Sequence, residues 1–210
     1  MSKPSQQDTF LEAYEMLMDW KPTRDVFAFR YFGFFTGGIG SLSGFYLNNF
    51  YRKAVKLRGQ VFISTLLPNV VLPGLVGIIL HHQFVQRPLI LQTFQCPVCI
   101  ELRAGVLQFF AGFLYPLVLS TVTSFHFGSK LYTYPLPSIK EPRNIFNTFI
   151  KLSRPGYSKF FVLASLQVIG GIALTHMEAL NIFTVLSKLS EMERAVLDHQ
   201  TEKQSIRREF

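Results

Sequence analysis

Charged residues are scarce in this chain and unevenly spread. Asp, Glu, Lys and Arg make up 16% of its 210 residues, whereas a soluble domain carries about 25%. They are absent from four long windows, at 31–51, 59–86, 104–129 and 160–177. One charged side chain at the centre of a membrane-spanning helix costs about 2.5–3.5 kcal/mol on insertion scales. Windows of this length without any such residue therefore indicate membrane spans.

The windows are also too uniformly apolar for a soluble helical protein. A helix needs roughly 20 apolar residues to cross the hydrocarbon layer, and core helices of soluble proteins keep a polar stripe. The stretch AGVLQFFAGFLYPLVLSTVTSF is apolar around nearly its whole circumference. We predict an all-α integral membrane bundle of about four transmembrane helices within residues 26–187. The expected spans are about 31–51, 61–82, 104–126 and 160–180.

The two flanking segments are not expected to cross the membrane. Residues 1–25 contain five acidic residues, which transit peptides avoid. Thr9 followed by Glu12 is typical of a capping box, so a short amphipathic helix that ends at Pro22 is predicted. Residues 188–210 are predicted to form a charged, solvated and helix-prone tail.

Small residues recur at helical spacing in the first span. Gly33, Gly37 and Ser41 lie four residues apart, and this spacing lets helix backbones approach closely in a membrane. A face for helix packing or partner binding is predicted there. The same kind of face is predicted in the third span, at Gly112, Tyr115 and Pro116. Whether such a face contacts the same chain or another protein stays open.

The second span contains two prolines, Pro68 and Pro73, on either side of Asn69. Each proline removes a backbone hydrogen bond, so a kink or local unwinding is predicted. Broken helices line substrate sites in some transporters. A small inner-membrane transporter or channel gated at this point is therefore the alternative function.

The net charge of +8 is concentrated in two of the connections between spans. The first and third connections carry ten Lys or Arg residues, and the second carries two. The positive-inside rule places that basic side in the cytoplasm or the mitochondrial matrix. Because the basic residues flank spans instead of forming one stripe, membrane lipids are the expected partner and nucleic acid is not.

Chemical groups inside the predicted spans are few. Histidines near the span ends are expected at the water boundary: His81, His82, His126 and His176. The sequence has no Ser-His-Asp candidate, no glycine-rich phosphate loop and no pair of carboxylates facing one cavity. No enzyme activity, cofactor, metal or small-molecule substrate is predicted.

Cys96 and Cys99 form the one motif that resembles an active site. A zinc site would need two more ligands, for which His81 and His82 are poorly arranged because they are adjacent. A redox dithiol normally sits in a βαβ context, and a structural disulfide needs an oxidising compartment. These alternatives stay open, and two unreactive thiols beside a helix entry are favoured.

The run CPVCIELRAGVLQFFAGFLYPLVLS resembles the transmembrane protein 126 family. The shared pattern is a Cys-x-x-Cys, then an arginine and a glycine (Arg103 and Gly105), then a span that ends in Gly-x-Leu-Tyr-Pro at 112–116. The segments NNFYRKAVKL, YTYPLP and FFVLASLQVIGGI agree with the family in order and spacing. The likeness covers roughly 33–188.

This resemblance implies a multi-pass protein of the mitochondrial inner membrane. It further implies a non-catalytic assembly factor for respiratory complex I, acting within or beside the mitochondrial complex I intermediate assembly complex. The implied partners are membrane subunits of complex I and other complex I assembly factors. Some members of the family attend the proximal membrane arm and others the distal arm.

Overall fold

The computed structural model describes residues 6–59, 61–93, 96–137 and 141–209, and every regular element within these ranges is a helix. Residues 1–5 of the predicted amino-terminal segment, Lys140 of the third connection and Phe210 of the predicted tail lie outside the described residues.

The residues within these ranges form six helices in succession. Short 3-10 turns at Thr23–Val26 and Arg154–Gly156 precede the second and the last of them. The helices are α1 (Gln6–Asp19), α2 (Phe27–Ala54), α3 (Phe62–Ile90), α4 (Pro97–Lys130), α5 (Pro142–Ser153) and α6 (Tyr157–Glu209).

In the described part of the chain, three helical segments are long and apolar enough to cross a membrane, judged by length and composition. They are Phe62–Ile90, Pro97–Lys130 and Pro142–Thr201, which contain the second, third and fourth predicted spans. The first predicted span lies in α2, which has 28 residues but many glycines, serines and asparagines that lower its mean hydropathy. The predicted all-α membrane bundle is confirmed, with α2 as its fourth long helix.

Helix α2 is the centre of the bundle, because it packs against α3, α4 and α6. The first and third connections meet at one end, where the Tyr51 hydroxyl lies 2.7 Å from the hydroxyl of Ser153. At the other end α1, the start of α2 and the middle of α6 meet, and Nζ of Lys188 lies 2.5 Å from Oδ2 of Asp25. The chain therefore crosses the bundle four times.

Each end of the bundle has its own apolar cluster. Leu17 of α1 packs into the cluster at the end of the bundle where α1 lies, together with Val85 and Val185. Tyr51, Phe113 and Phe160 belong to the cluster at the connection end. Outside these clusters, large apolar side chains of all four long helices are exposed, as expected of a surface that faces lipid.

Helix α6 continues without interruption through the boundary at 187/188 where the charged tail was predicted to begin. It runs for 53 residues. After Gly171 its sequence contains neither glycine nor proline, so nothing in it favours a break. The charged residues of the predicted tail are exposed, but the backbone stays helical through them.

The local unwinding considered for the second span does not occur. Phe62–His81 is α-helical with Pro68 and Pro73 inside it. The side-chain amide of Asn69 donates to the carbonyl of Thr65 (2.7 Å), one turn earlier on the same helix. The carbonyl groups that Pro68 and Pro73 leave without a helical donor are those of Ser64 and Asn69.

Two other prolines coincide with wide π-helical turns. The N–H of Arg87 donates to the carbonyl of His82, five residues earlier, just before Pro88. In α4 the segment Phe110–Leu114 forms the second wide turn, just before Pro116. A proline at position i cannot bond the carbonyl at i−4 and crowds it, so widening the turn relieves the conflict.

The closest approach in the bundle is between α2 and α3. A Cβ atom at Gly44 would overlap the carbonyl oxygen of Asn69, and one at Gly74 would overlap the hydroxyl of Ser41. The Asn69 carbonyl has no helical donor because Pro73 lacks an N–H. Glycine at position 44 therefore sets the distance between the two helices.

We expect Gly44→Leu to force α2 and α3 apart. The free energy of unfolding should fall by at least about 1–3 kcal/mol, the usual effect of overpacking. Gly38→Leu is the matched control, because a Cβ at Gly38 meets nothing within 4 Å and the helix propensity changes equally. Thermal unfolding in detergent micelles measures both, and equal losses would contradict this account.

Candidate functional site, a polar seam inside the bundle

Buried polar side chains lie along the interior of the bundle in three groups, which together we call the polar seam. Each group joins three helices through side-chain hydrogen bonds. The acid–imidazole cluster is His81, Gln86 and Glu178; the glutamine layer is Ser43, Gln108 and Gln167; the asparagine layer is Asn48, Asn69 and Thr123.

The acid–imidazole cluster surrounds a carboxyl group that has no exposed surface. Nε2 of His81, itself only 5% exposed, lies 2.8 Å from Oε2 of Glu178. The amide of Gln86 donates to Oε1 of Glu178 (3.0 Å) and to the carbonyl of Phe29 (3.0 Å). Burying a carboxylate is strongly unfavourable unless its oxygens have partners. Both oxygens have one here, so the cluster ties α2, α3 and α6 together.

The wide turn in α3 explains how His81 and Gln86 reach the same carboxyl group. Five residues separate them, and in a regular α-helix this spacing points two side chains in different directions. The π-helical segment His82–Gln86 underwinds the helix at this point. Nδ1 of His82 lies 3.0 Å from Oε1 of Gln86, which extends the cluster toward the surface.

The acid–imidazole cluster corrects one expectation from the sequence: His81 was expected at the water boundary and is buried. Glu178 directly follows the uncharged window 160–177, and its carboxyl group is buried in the interior. The spacing along α6 contained the signal, because Glu178 is in phase with Gln167, Gly171 and Ile182, all of which are buried.

The glutamine layer lies nearer the middle of the bundle. The amide of Gln108 donates to Oε1 of Gln167 (2.7 Å) and to the carbonyl of Thr36 (2.9 Å). The amide of Gln167 donates to the Ser43 hydroxyl and to a backbone carbonyl of α2. A Cβ at Gly112 would overlap the carboxamide of Gln167. Gly112 is therefore the position that makes room for the layer.

The asparagine layer contains Asn69, which lies between the two prolines where a transporter gate was considered. Nδ2 of Asn69 also lies within hydrogen-bond distance of Oδ1 of Asn48 (3.0 Å) and of the Thr123 hydroxyl oxygen (2.9 Å), so its two hydrogens are shared among three acceptors. The Asn69 side chain is fully buried. Asn69 thus joins α2, α3 and α4.

The residues predicted to form packing or partner faces mostly contact helices of the same chain. Gly37 and Ser41 face Gly74 of α3. Gly33 is half-buried, and a Cβ there would lie 3.9 Å from Nε2 of Gln86. Pro116 and Gly112 are buried, whereas Tyr115 is exposed on the surface of α4. Gly37 and Gly112 thus pack against other helices of this chain, whereas Ser41 contacts Gly74 and also lies at the outer surface of α2.

Cys96 and Cys99 are free thiols at the start of α4, half-buried and exposed respectively. The disulfide considered from the sequence is not formed. A hydrogen bond from Cys99 lowers the pKa of the Cys96 thiol, because it stabilises the thiolate. Among the residues that the structure describes, no three His, Cys, Asp or Glu side chains converge as metal ligands would.

The family model described as "Transmembrane protein 126" matches residues 9–195. The chain belongs to the transmembrane protein 126 family. Among its relatives, "Transmembrane protein 126" of Drosophila melanogaster is 32% identical over 195 residues, which cover 92% of this chain and 85% of the fly protein. "Transmembrane protein 126A" of Rattus norvegicus is 27% identical over 146 residues, which cover 70% of this chain and 72% of the rat protein.

The mouse "Transmembrane protein 126A" is 24% identical over 165 residues, which cover 79% of this chain and 82% of the mouse protein. No solved structure matches the chain. Membership in the transmembrane protein 126 family and the apolar helices together identify a multi-pass membrane protein.

We predict that Glu178→Leu destabilises this family member more than Glu178→Gln does. Leucine leaves His81 and Gln86 buried without their acceptor, which costs about 1–3 kcal/mol per group, whereas glutamine keeps one oxygen and adds a donor. Thermal unfolding in micelles measures the difference. Glu101→Gln is the control, because Glu101 pairs with an exposed histidine. Equal stability of the Leu and Gln variants would contradict the assigned role of Glu178.

A second prediction concerns the thiols. Cys99→Ala removes the hydrogen bond that lowers the pKa of Cys96, so the pKa rises and less thiolate is present near neutral pH. Alkylation of Cys96 by iodoacetamide should slow by several-fold at neutral pH and recover at alkaline pH. Cys99→Ser keeps a donor and should shift the pH profile less. An unchanged profile in the alanine variant would refute the assigned hydrogen bond.

Proposed function

We propose that this protein is a non-catalytic assembly factor of the mitochondrial inner membrane, which holds membrane subunits of respiratory complex I before they join the membrane arm. Membership in the transmembrane protein 126 family supports the proposal. In this role the protein works through helix packing beside other complex I assembly factors, and it releases its client when assembly proceeds.

The observation that carries the proposal is an apolar groove on the outer surface of α2 and α3. We call it the lipid-facing groove; its volume is about 710 Å³. Its floor includes Gly38, which is exposed and has open space above it. The lining is Phe34, Phe35, Gly38, Ile39, Ser41, Leu42, Phe45 and Val70.

The form of the lipid-facing groove suits a transmembrane helix of a client subunit. Helices in lipid associate through close packing, since lipid tails are as apolar as the side chains. Gly38 permits a close backbone approach, and Phe34 and Phe45 provide walls on either side of it. Residues 34–45 extend along roughly 16 Å of α2, about three turns of a partner helix.

The polar seam supports a scaffold more than a transporter. A transporter gated at Pro68–Pro73 would have to release Asn69 from its bonds to α2 and α4 in every cycle. Each bond released inside lipid leaves a polar group without a partner, which is unfavourable. A scaffold needs no such change, because its groove is already open on the outer surface.

The test uses cells that lack the protein and are complemented with variants. Native gels should show stalled membrane-arm intermediates in the deficient cells and normal assembly after complementation with wild type. Gly38→Leu fills the lipid-facing groove, so it should restore assembly poorly and retain at most about a tenth of the co-purified complex I membrane subunits. That reduction corresponds to about 1.4 kcal/mol of lost packing.

Ala173→Leu is the control, because it places the same side chain at an exposed position of α6 outside the groove. It should restore assembly fully. Normal complex I assembly in the deficient cells would refute the proposal. Solute flux through liposomes that contain only the purified protein would favour the transporter instead.

A further inference from the structure

A second concave surface lies at the connection end of the bundle, and it differs from the lipid-facing groove in charge. We call it the basic cleft; its volume is about 460 Å³, and its lining is Asn49, Arg52, Lys53, Lys56, Arg58 and Phe62. We propose that the basic cleft binds the phosphate headgroup of an anionic phospholipid. The proposal is independent of the role in complex I assembly.

The cleft is formed by the tight turn between α2 and α3. Lys56, Arg58 and Val61 all have positive φ angles, of 59°, 48° and 47°. This left-handed region is uncommon for residues other than glycine. Backbone strain of this kind persists only where surrounding contacts hold it, and it is concentrated at functional sites. Here it folds the turn back over the end of α2 and directs several basic residues to one place.

Arg52 fixes the shape of the turn. Its guanidinium donates to the Thr65 hydroxyl (2.7 Å) and to the carbonyl of Arg58 (2.6 Å), which connects α2, the turn and α3. It also lies over the ring of Phe62, 5.2 Å from the centroid. The cleft is therefore formed before a ligand arrives, which reduces the entropy lost on binding.

The other basic residues of the cleft have no acidic partner among the described residues, so the cleft is positively charged. Lys53, Lys56 and Arg58 are exposed, and within the described part of the chain none of the three forms an ion pair with a carboxylate. The described lining residues include no Asp or Glu. A concave surface lined by one sign of charge concentrates ions of the opposite sign, so the cleft selects an anion.

The position of the cleft favours a lipid over a soluble phosphate. Phe62 lines the cleft, and the next apolar residues of α3 face outward, with Ile63 74% and Leu67 63% exposed. Cationic and apolar surfaces thus meet at the start of a membrane-spanning helix. A phospholipid has the same order of groups, and basic pockets beside transmembrane helices bind anionic headgroups.

The experiment uses the full chain in nanodiscs of phosphatidylcholine with a minor fraction of phosphatidylglycerol. After partial delipidation, mass spectrometry measures how much of each lipid remains with the protein. The cleft variant is Lys53→Gln, Lys56→Gln and Arg58→Gln, with Arg52 kept to preserve the turn. The matched control is Arg143→Gln, Lys151→Gln and Lys159→Gln, which removes equal charge from exposed positions at the same end.

Wild type should retain phosphatidylglycerol in preference to phosphatidylcholine. The cleft variant should reduce this preference at least about tenfold, since each basic residue near an anionic surface contributes roughly fivefold. The control should change it less than about twofold. A charge-preserving variant, Lys53→Arg with Lys56→Arg, should keep the preference, and thermal unfolding checks that all variants are folded.

Three outcomes of the lipid-retention measurement would overturn the proposal. These are an equal loss in the control variant, no loss in the cleft variant, and a loss in the charge-preserving variant. Inorganic phosphate is added in a separate arm of the experiment. If it displaces phosphatidylglycerol at equal concentration, the ligand is soluble phosphate and the lipid assignment fails. All readouts use purified protein, so they are unaffected by whether the role in complex I assembly holds.

Discussion

The structure depends on one constraint, which is that helices in lipid gain little from hiding apolar surface from one another. Contact between helices must come from close packing and from polar groups that find partners in the interior. Both occur on α2. Gly44 lets α3 approach until the helices touch through the backbone carbonyl of Asn69, and the polar seam joins α2 to the three other long helices.

The same constraint explains why the span in the central helix is less apolar than the three other spans. Helix α2 is surrounded by the other helices of its own chain, so much of its surface never meets lipid. Glycine, serine and asparagine are acceptable there, because they are contacted by backbone and side chains instead of acyl chains. On the side that forms the lipid-facing groove, α2 instead exposes large apolar residues such as Phe34, Leu42 and Phe45.

Much of the fold was predictable from the sequence, and the exceptions have physical causes. The absence of charge located the spans because lipid excludes unpaired charge. The same rule failed at Glu178, where His81 and Gln86 make an acid acceptable in the interior. Proline predicted a disturbance of the backbone but not its form: Pro68 stays in a regular helix, and Pro88 follows a wide turn. These outcomes depend on neighbours from distant parts of the chain.

The uninterrupted length of α6 has a mechanical consequence. At about 1.5 Å per residue it measures roughly 80 Å, far more than the roughly 30 Å of hydrocarbon. One continuous helix therefore begins at the connection end of the bundle, passes Glu178 and continues beyond the bundle as a charged, exposed segment. Because neither glycine nor proline follows Gly171, the sequence offers no hinge between the buried carboxyl group and the far end of the helix.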